Sequence, residues 1–150
     1  MEMMFCANLG QPMKPLARVA SGGELSRIML ALKNVLAELD SVQTLVFDEV
    51  DTGVSGRAAQ RVAEKLAKVS RQKQVLCVTH LPQLAAMADA HLGVAKGEAN
   101  GRTLTTVTQL DRAARRRELA RLTGGELQSD AMLKSAGELL AAAEAFKSAL

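Results

Sequence analysis

Leu45-Val46-Phe47 is a short apolar run that ends abruptly in two adjacent carboxylates, Asp48 and Glu49. A run of this length and composition fits a buried strand of a parallel sheet, here from about residue 42 to Phe47. Open α/β sheets bind their ligands at the carboxyl ends of the strands. Asp48 and Glu49 therefore fall where a functional site belongs.

The rest of the chain suits the same kind of sheet. Residues 1–20 are loop-rich, with Gly10, Pro12 and Pro15 interrupting regular structure, and Phe5-Cys6-Ala7 suits the end of a strand. Leu25, Ile28, Met29, Leu32, Val35, Leu36 and Leu39 recur at helical steps, predicting a helix from Glu24. Ser21 stands at its N-cap position, and Glu24 completes the spacing of a capping box. A turn-rich loop over 51–56 leads into a helix over 55–70 with Ala59, Val62, Leu66 and Val69 on its apolar face. Residues 75–79 form a second short apolar strand ending in His80, and Pro82 suits the first turn of a helix to about Ala88. A strand pair over 92–95 and 104–107, joined through Gly97, Asn100 and Gly101, comes next. Two helices close the chain, over 111–122 and 129–149, and Gly124 and Gly125 stop the first of them. This order predicts an α/β fold with a parallel sheet core flanked by helices. No repeat or internal boundary is visible, so residues 1–150 read as a single domain.

Composition removes several function classes. The chain has 150 residues, 48% hydrophobic and 23% charged, enough for one domain with a core. Phe5, Phe47 and Phe146 are its only aromatics, too few for a base-stacking platform. A net charge of +3 gives no argument for nucleic-acid binding by itself. Cys6 and Cys77 lie far apart without a CxxC pattern and read as buried thiols rather than a metal site or disulfide. No apolar run approaches membrane-spanning length and no signal-peptide pattern opens the chain, so a cytoplasmic location with no membrane partner is expected. Arg112, Arg115, Arg116, Arg117 and Arg121 read as a solvated helix face paired with Glu118 and Asp111 rather than as a DNA contact.

The chemistry lies in three short patterns. Mg²⁺ takes hard oxygen ligands and keeps several waters. A carboxylate at a strand tip can hold that shell, and its neighbour can orient or deprotonate an attacking water. An isolated Asp-Glu pair after a strand is nonetheless more often a solvated acidic loop. Ser21-Gly22-Gly23 lets backbone N–H groups approach a phosphate at a helix N-terminus, although a plain N-cap carries the same letters. Thr123-Gly124-Gly125-Glu126-Leu127 nearly repeats them, and there Gly124 follows a helix and reads as a C-cap. His80, at the tip of the following strand, can hydrogen-bond a terminal phosphate or the attacking water, or is an ordinary polar strand end. His91 has no such placement and reads as structural.

The order and spacing of these patterns are more specific than any one of them. Residues 44–53 resemble a Walker B motif. The whole set, from Ala20-Ser21-Gly22-Gly23-Glu24 through Asp48, Glu49 and Asp51 to His80, resembles the C-terminal lobe of an ABC-type ATPase head. Glu24, where transporters commonly carry Gln, points to the SMC-like branch. The wording of Pro15 to Lys33, Phe47 to Gly56, Gln74 to Gln83 and Glu118 to Arg121 resembles the RecN family of bacterial DNA repair proteins. That resemblance implies that Ser21, Gly22 and Gly23, with Glu24 beside them, are the signature contacting a γ-phosphate held by a partner head. It implies Asp48 as the Walker B carboxylate holding Mg²⁺ through water, Glu49 as the catalytic base, Asp51 as the D-loop residue at the dimer seam, and His80 as the switch histidine. It further implies ATP and Mg²⁺ as cofactors. The implied partners are the N-terminal half of the same head, a second head in a homodimer, and DNA. The implied role is ATP-dependent recombinational repair of double-strand breaks at the bacterial nucleoid. Another SMC-like ATPase lobe, and an inert remnant or interaction module, are the alternatives.

One departure from the family is large. Nothing matches G-x-x-x-x-G-K-[ST], and no Gly-Lys pair occurs anywhere. The Walker A lysine, the Mg²⁺-binding hydroxyl and the long coiled coil, which the family carries N-terminal to the signature, have no counterpart here. The chain is thus expected to be the C-terminal part of a RecN-type head, and an ATPase only when completed. A triphosphate needs the P-loop cradle and its lysine for binding and charge neutralisation. The purified chain alone is predicted to release no measurable phosphate from ATP. Magnesium-dependent turnover by the chain on its own would contradict the assignment.

Overall fold

The apolar run at Leu45-Val46-Phe47 does form a strand, and it pairs in parallel with the next one. The computed structural model describes residues 3–6, 10, 12–16, 21–36, 41–99, 102–125 and 129–150. Their elements are β1 (Met4–Phe5), β2 (Lys14–Pro15), α1 (Gly22–Leu36), β3 (Thr44–Phe47), α2 (Gly56–Val69) and β4 (Gln74–Cys77), then α3 (Pro82–Met87), β5 (Leu92–Ala99), β6 (Arg102–Gln109), α4 (Arg112–Gly124) and α5 (Asp130–Ser148). The expectations for Ala7, Ala20, Leu39, Asn100, Gly101, Glu126 and Leu127 lie outside the described residues. The chain divides into two compact units, Met1–Thr79 and His80–Leu150.

In the first unit, β1 and β2 are a short antiparallel pair. β3 and β4 pair in parallel, Thr44 opposite Gln74 through Phe47 opposite Cys77, and Val78 N donates to Phe47 O to extend the ladder. Helix α2 makes the crossover between them, with Ala59, Ala63, Leu66, Ala67 and Val69 buried. The strand was expected to be buried throughout. Leu45 and Phe47 are buried, but Val46 is 68% exposed, as are Leu76 at 48% and Val78 at 64%. Side chains alternate across a strand, and that face is largely open. The same shortage leaves Leu25, Met29, Val35 and Leu36 of the helical stripe exposed, whereas Leu30 is buried.

In the second unit, α3, α4 and α5 share a core of Leu84, Met87, Leu119, Ala136 and Leu140. Pro82 opens α3 as expected. Asp111 caps α4 by accepting from Ala114 N at 2.7 Å, so it does not pair with the arginines, and Ser129 caps α5 through Met132 N at 3.3 Å. Four of the five arginines have partners among the described residues. Arg115 Nη2 donates to the carbonyls of Ala85, Ala86 and Ala88, the last at 2.7 Å, and so satisfies the C-terminal carbonyls of α3. Arg116 Nε donates to Leu133 O at 2.7 Å, while Arg112 pairs with Glu144 and Arg121 with Glu118. Helix α4 runs through Gly124, and Gly125, at φ +80, is the residue that ends it. Gly124 instead leaves room for the Met132 side chain, which a Cβ there would strike. β5 and β6 form a hairpin longer than expected, in which Gly97 lies within β5 opposite Leu104 rather than in the connection. Among the described residues no helix is long and apolar enough to cross a membrane.

His91 is half-buried in this unit, and its Nδ1 has no hydrogen-bond partner. Burial first, and then the Arg115 cation, hold its pKa below the ordinary value, against an opposing pull from Glu118. The folded state therefore takes up this proton at lower pH than the unfolded chain. The stability that follows is whole above about pH 6.5, the unfolded value, and is lost as pH falls through the lower folded value. The thermal midpoint, followed by circular dichroism, is expected to fall between about pH 7 and about pH 5.5, and His91→Asn is expected to flatten that fall. An unchanged slope in the variant would place the proton elsewhere.

Candidate nucleotide half-site

The first turn of α1 is a complete capping box. Ser21 N and Ser21 Oγ donate to Glu24 Oε2 at 2.9 and 3.0 Å, and Glu24 N donates back to Ser21 Oγ at 3.4 Å. The Ser21 amide first, then its hydroxyl, hold the Glu24 carboxyl below its usual pKa. Glu24 thus fixes Ser21 at the helix N-terminus, where backbone N–H groups and the dipole favour an anion.

The two glycines that follow lie against the loop after β3. A Cβ on Gly23, which is buried, would stand 2.9 Å from Glu49 O and 3.0 Å from Thr52 O. A Cβ on Gly22 would stand 2.8 Å from Glu49 Oε2. At Gly23 the neighbours are backbone and only glycine allows the approach, whereas at Gly22 the neighbour is the movable end of the Glu49 side chain. The loop and the Ser21-Gly22-Gly23 turn are thereby one local structure.

The loop is held by the next turn of α1. Ser26 Oγ donates to Asp48 O at 3.0 Å, and Arg27 Nη1 donates to Val50 O at 3.3 Å and Thr52 O at 2.7 Å. Gly23, Ser26, Arg27 and Leu30 fall on one helix face by their three- and four-residue steps. Within the loop, Glu49 has φ +58, the one positive-φ non-glycine among the described residues. Such a conformation costs about 1–3 kcal/mol and persists where its surroundings over-determine it. Hydrogen bonds from a charged donor contribute about 1.5–3 kcal/mol and neutral ones about 0.5–1.5, so the α1 donors outweigh the strain. The Val50 side chain is fully buried and adds a further anchor.

Asp48 and Glu49 are both exposed at the end of β3, and Glu49 N donates to Asp48 Oδ1 at 3.0 Å. Asp51, expected as the D-loop residue at the dimer seam, is only 3% exposed and accepts from Thr79 Oγ1 at 2.5 Å. A buried carboxylate needs donors, and here it ties the loop to the end of β4. Burial, then Asp51 and Asp48, push the half-buried Cys77 thiol up to about 11, which leaves it protonated and unreactive at neutral pH. His80 is exposed and opens the second unit directly after Thr79.

Ser21, Gly22, Gly23, Glu24, Asp48, Glu49 and Asp51 thus gather around the N-terminal turns of α1 within one unit. Ser26, Arg27 and Thr79 carry much of the geometry and drew no role from the sequence. The available signal was helical phase, since Arg27 lies one turn after Gly23. As a metal site the residues fit in part. Mg²⁺ with a bound triphosphate takes one or two carboxylates, phosphate oxygens and waters, and Asp48 offers one exposed carboxylate. Among the described residues no group of three or more His, Cys, Asp or Glu could hold a metal unaided.

No family model matches the chain. Among curated proteins, DNA repair protein RecN of Bacillus subtilis (strain 168) is 49% identical over 146 residues, covering 97% of this chain and 25% of the relative. DNA repair protein RecN of Treponema pallidum (strain Nichols) is 48% identical, covering 94% of this chain and 25% of the relative. The RecN of Mycobacterium leprae (strain TN) is 49% identical, covering 98% and 25%. A solved chain from work on ATP-driven dimerization and DNA-stimulated activation of SMC ATPases superposes with a TM-score of 0.53 at 23% identity, covering 76% of this chain and 68% of that one. At that identity the likeness concerns fold alone, and the fold is the expected one, the α/β C-terminal lobe of an ABC-type ATPase head. The RecN resemblance drawn from the motifs is borne out along nearly the whole chain, which spans about a quarter of the length of the curated relatives it matches.

Proposed function

We propose that this chain is the C-terminal ATPase-head segment of a RecN-type protein and supplies one half of a composite ATP site. A second, P-loop-bearing half of the head would complete the cradle, and a second head would present its triphosphate to Ser21-Gly22-Gly23. The observation that carries this reading is the gathering of that helix N-terminus and the Asp48–Glu49 pair on one anchored loop. Identity near 49% to RecN, against 23% to the SMC chain, favours the RecN branch over another SMC-like lobe.

Each residue has a role in this reading. Asp48 would hold Mg²⁺ through the ion's water shell. Bound Mg²⁺ supplies neutralisation of phosphate charge. Glu49 orients the attacking water and takes its proton. His80 takes the role of the switch histidine in this reading, a hydrogen bond to the terminal phosphate or the attacking water. Ser21, set by Glu24, and the bare backbone of Gly22 and Gly23 receive the partner's γ-phosphate. Asp51 acts by position, through its bond to Thr79. Hydrolysis and head separation then serve ATP-dependent repair of DNA double-strand breaks, with DNA bound by the full-length protein at the nucleoid.

Two variants of the completed head test this. Glu49→Gln is expected to keep ATP binding and to lose about a hundred- to ten-thousand-fold in turnover, the usual effect of removing a general base, so that ATP-bound dimers accumulate. Ser21→Arg is expected to bind ATP in its own head as before and to fail in ATP-dependent dimerisation, because the bulky side chain holds the partner's triphosphate off the helix. Near wild-type turnover in Glu49→Gln removes the base. A Ser21→Arg head that dimerises normally and only melts earlier, as loss of an N-cap worth about 0.5–2 kcal/mol would cause, removes the composite site.

A further inference from the structure

Glu49 is bracketed by carbonyls that α1 holds. Ser26 Oγ binds Asp48 O on one side, and Arg27 Nη1 binds Val50 O and Thr52 O on the other. Between these anchors Glu49 keeps its left-handed backbone. Among the described residues no side chain holds the Glu49 carboxylate, so the backbone beneath it sets the direction in which the side chain leaves the loop. A water-activating carboxylate must meet its water within hydrogen-bond reach, and a misplacement of about 1 Å can cost a hundredfold in rate.

We propose that Arg27 is a positioning residue for ATP hydrolysis: it fixes the direction of the Glu49 carboxylate through the backbone of residues 50–52, without touching nucleotide. This rests on the composite ATP site proposed above. The chemistry suits arginine. A planar, permanently charged guanidinium binds two carbonyls in one fixed geometry, whereas a lysine ammonium is a mobile point charge. The Arg27 contacts to Val50 and Thr52 are also those that tie the loop to the signature helix, so the base and the signature turn move as one body.

The test is a mutant cycle in the completed head. Arg27→Met keeps the length of the stem and removes the donors. Its kcat is expected to fall at least about tenfold while the KM and Kd for ATP stay within about twofold, the pattern of an interaction needed only in the transition state. Arg27→Lys is expected to recover part of the loss. Because Arg27 acts through Glu49, adding Arg27→Met to Glu49→Gln is expected to cost nothing further. An unchanged kcat in Arg27→Met, or a double variant whose losses multiply, would overturn the proposal. Should Arg27→Met fail to fold, Arg27→Lys carries the same cycle with charge and stem retained. Full turnover in Glu49→Gln alone would remove Glu49 as the base and overturn the Arg27 proposal with it, whereas failure of the composite-site reading is read separately, from a Ser21→Arg head that dimerises normally.

Discussion

One guanidinium and one hydroxyl on a single turn of α1 bind three carbonyls of the loop after β3, and the candidate site depends on those bonds. A tight loop leaves carbonyls without ladder partners, and each must find a donor. Here the donors come from the helix whose N-terminus carries Ser21-Gly22-Gly23. The loop cannot shift without the helix, nor the helix without the loop. Gly23 fits the same logic, since a side chain there would strike the loop backbone at Glu49 and Thr52 and push the two apart.

The local elements were legible because they are set by local rules. Helical spacing and the Ser21–Glu24 capping box located α1, and the box forms atom for atom. The apolar runs gave β3 and β4, and their parallel pairing follows from the helix between them. Burial was less legible. A continuous apolar strand is the mark of a sheet covered on both faces, yet Val46, Leu76 and Val78 are open. Periodicity reports what a face needs, and it does not say which part of a protein provides the cover.

The polar contacts were the least legible. Five arginines in α4 have the letters of a charged surface, but Arg115 donates to carbonyls at the C-terminal end of α3, which a helix leaves unsatisfied, and Arg116 donates to Leu133 O in the first turn of α5. Asp51 is buried against Thr79, a contact that no local pattern announces. Both outcomes depend on residues distant in sequence. In the second pattern of glycines, Gly124 serves the packing of Met132 and Gly125 ends the helix, where sequence spacing alone made Gly124 the C-cap.

The central claim is that α1 holds Glu49 in a left-handed backbone. Its most direct measurement is the stability of Glu49→Gly against Glu49→Ala, by denaturant unfolding of the chain. At an ordinary loop position glycine is the less stable of the two, because it has more unfolded-state entropy to lose. At φ +58 glycine escapes the steric cost that alanine keeps, and Glu49→Gly is predicted to be more stable than Glu49→Ala by about 1 kcal/mol. A Glu49→Ala chain as stable as Glu49→Gly, or more so, would contradict the account.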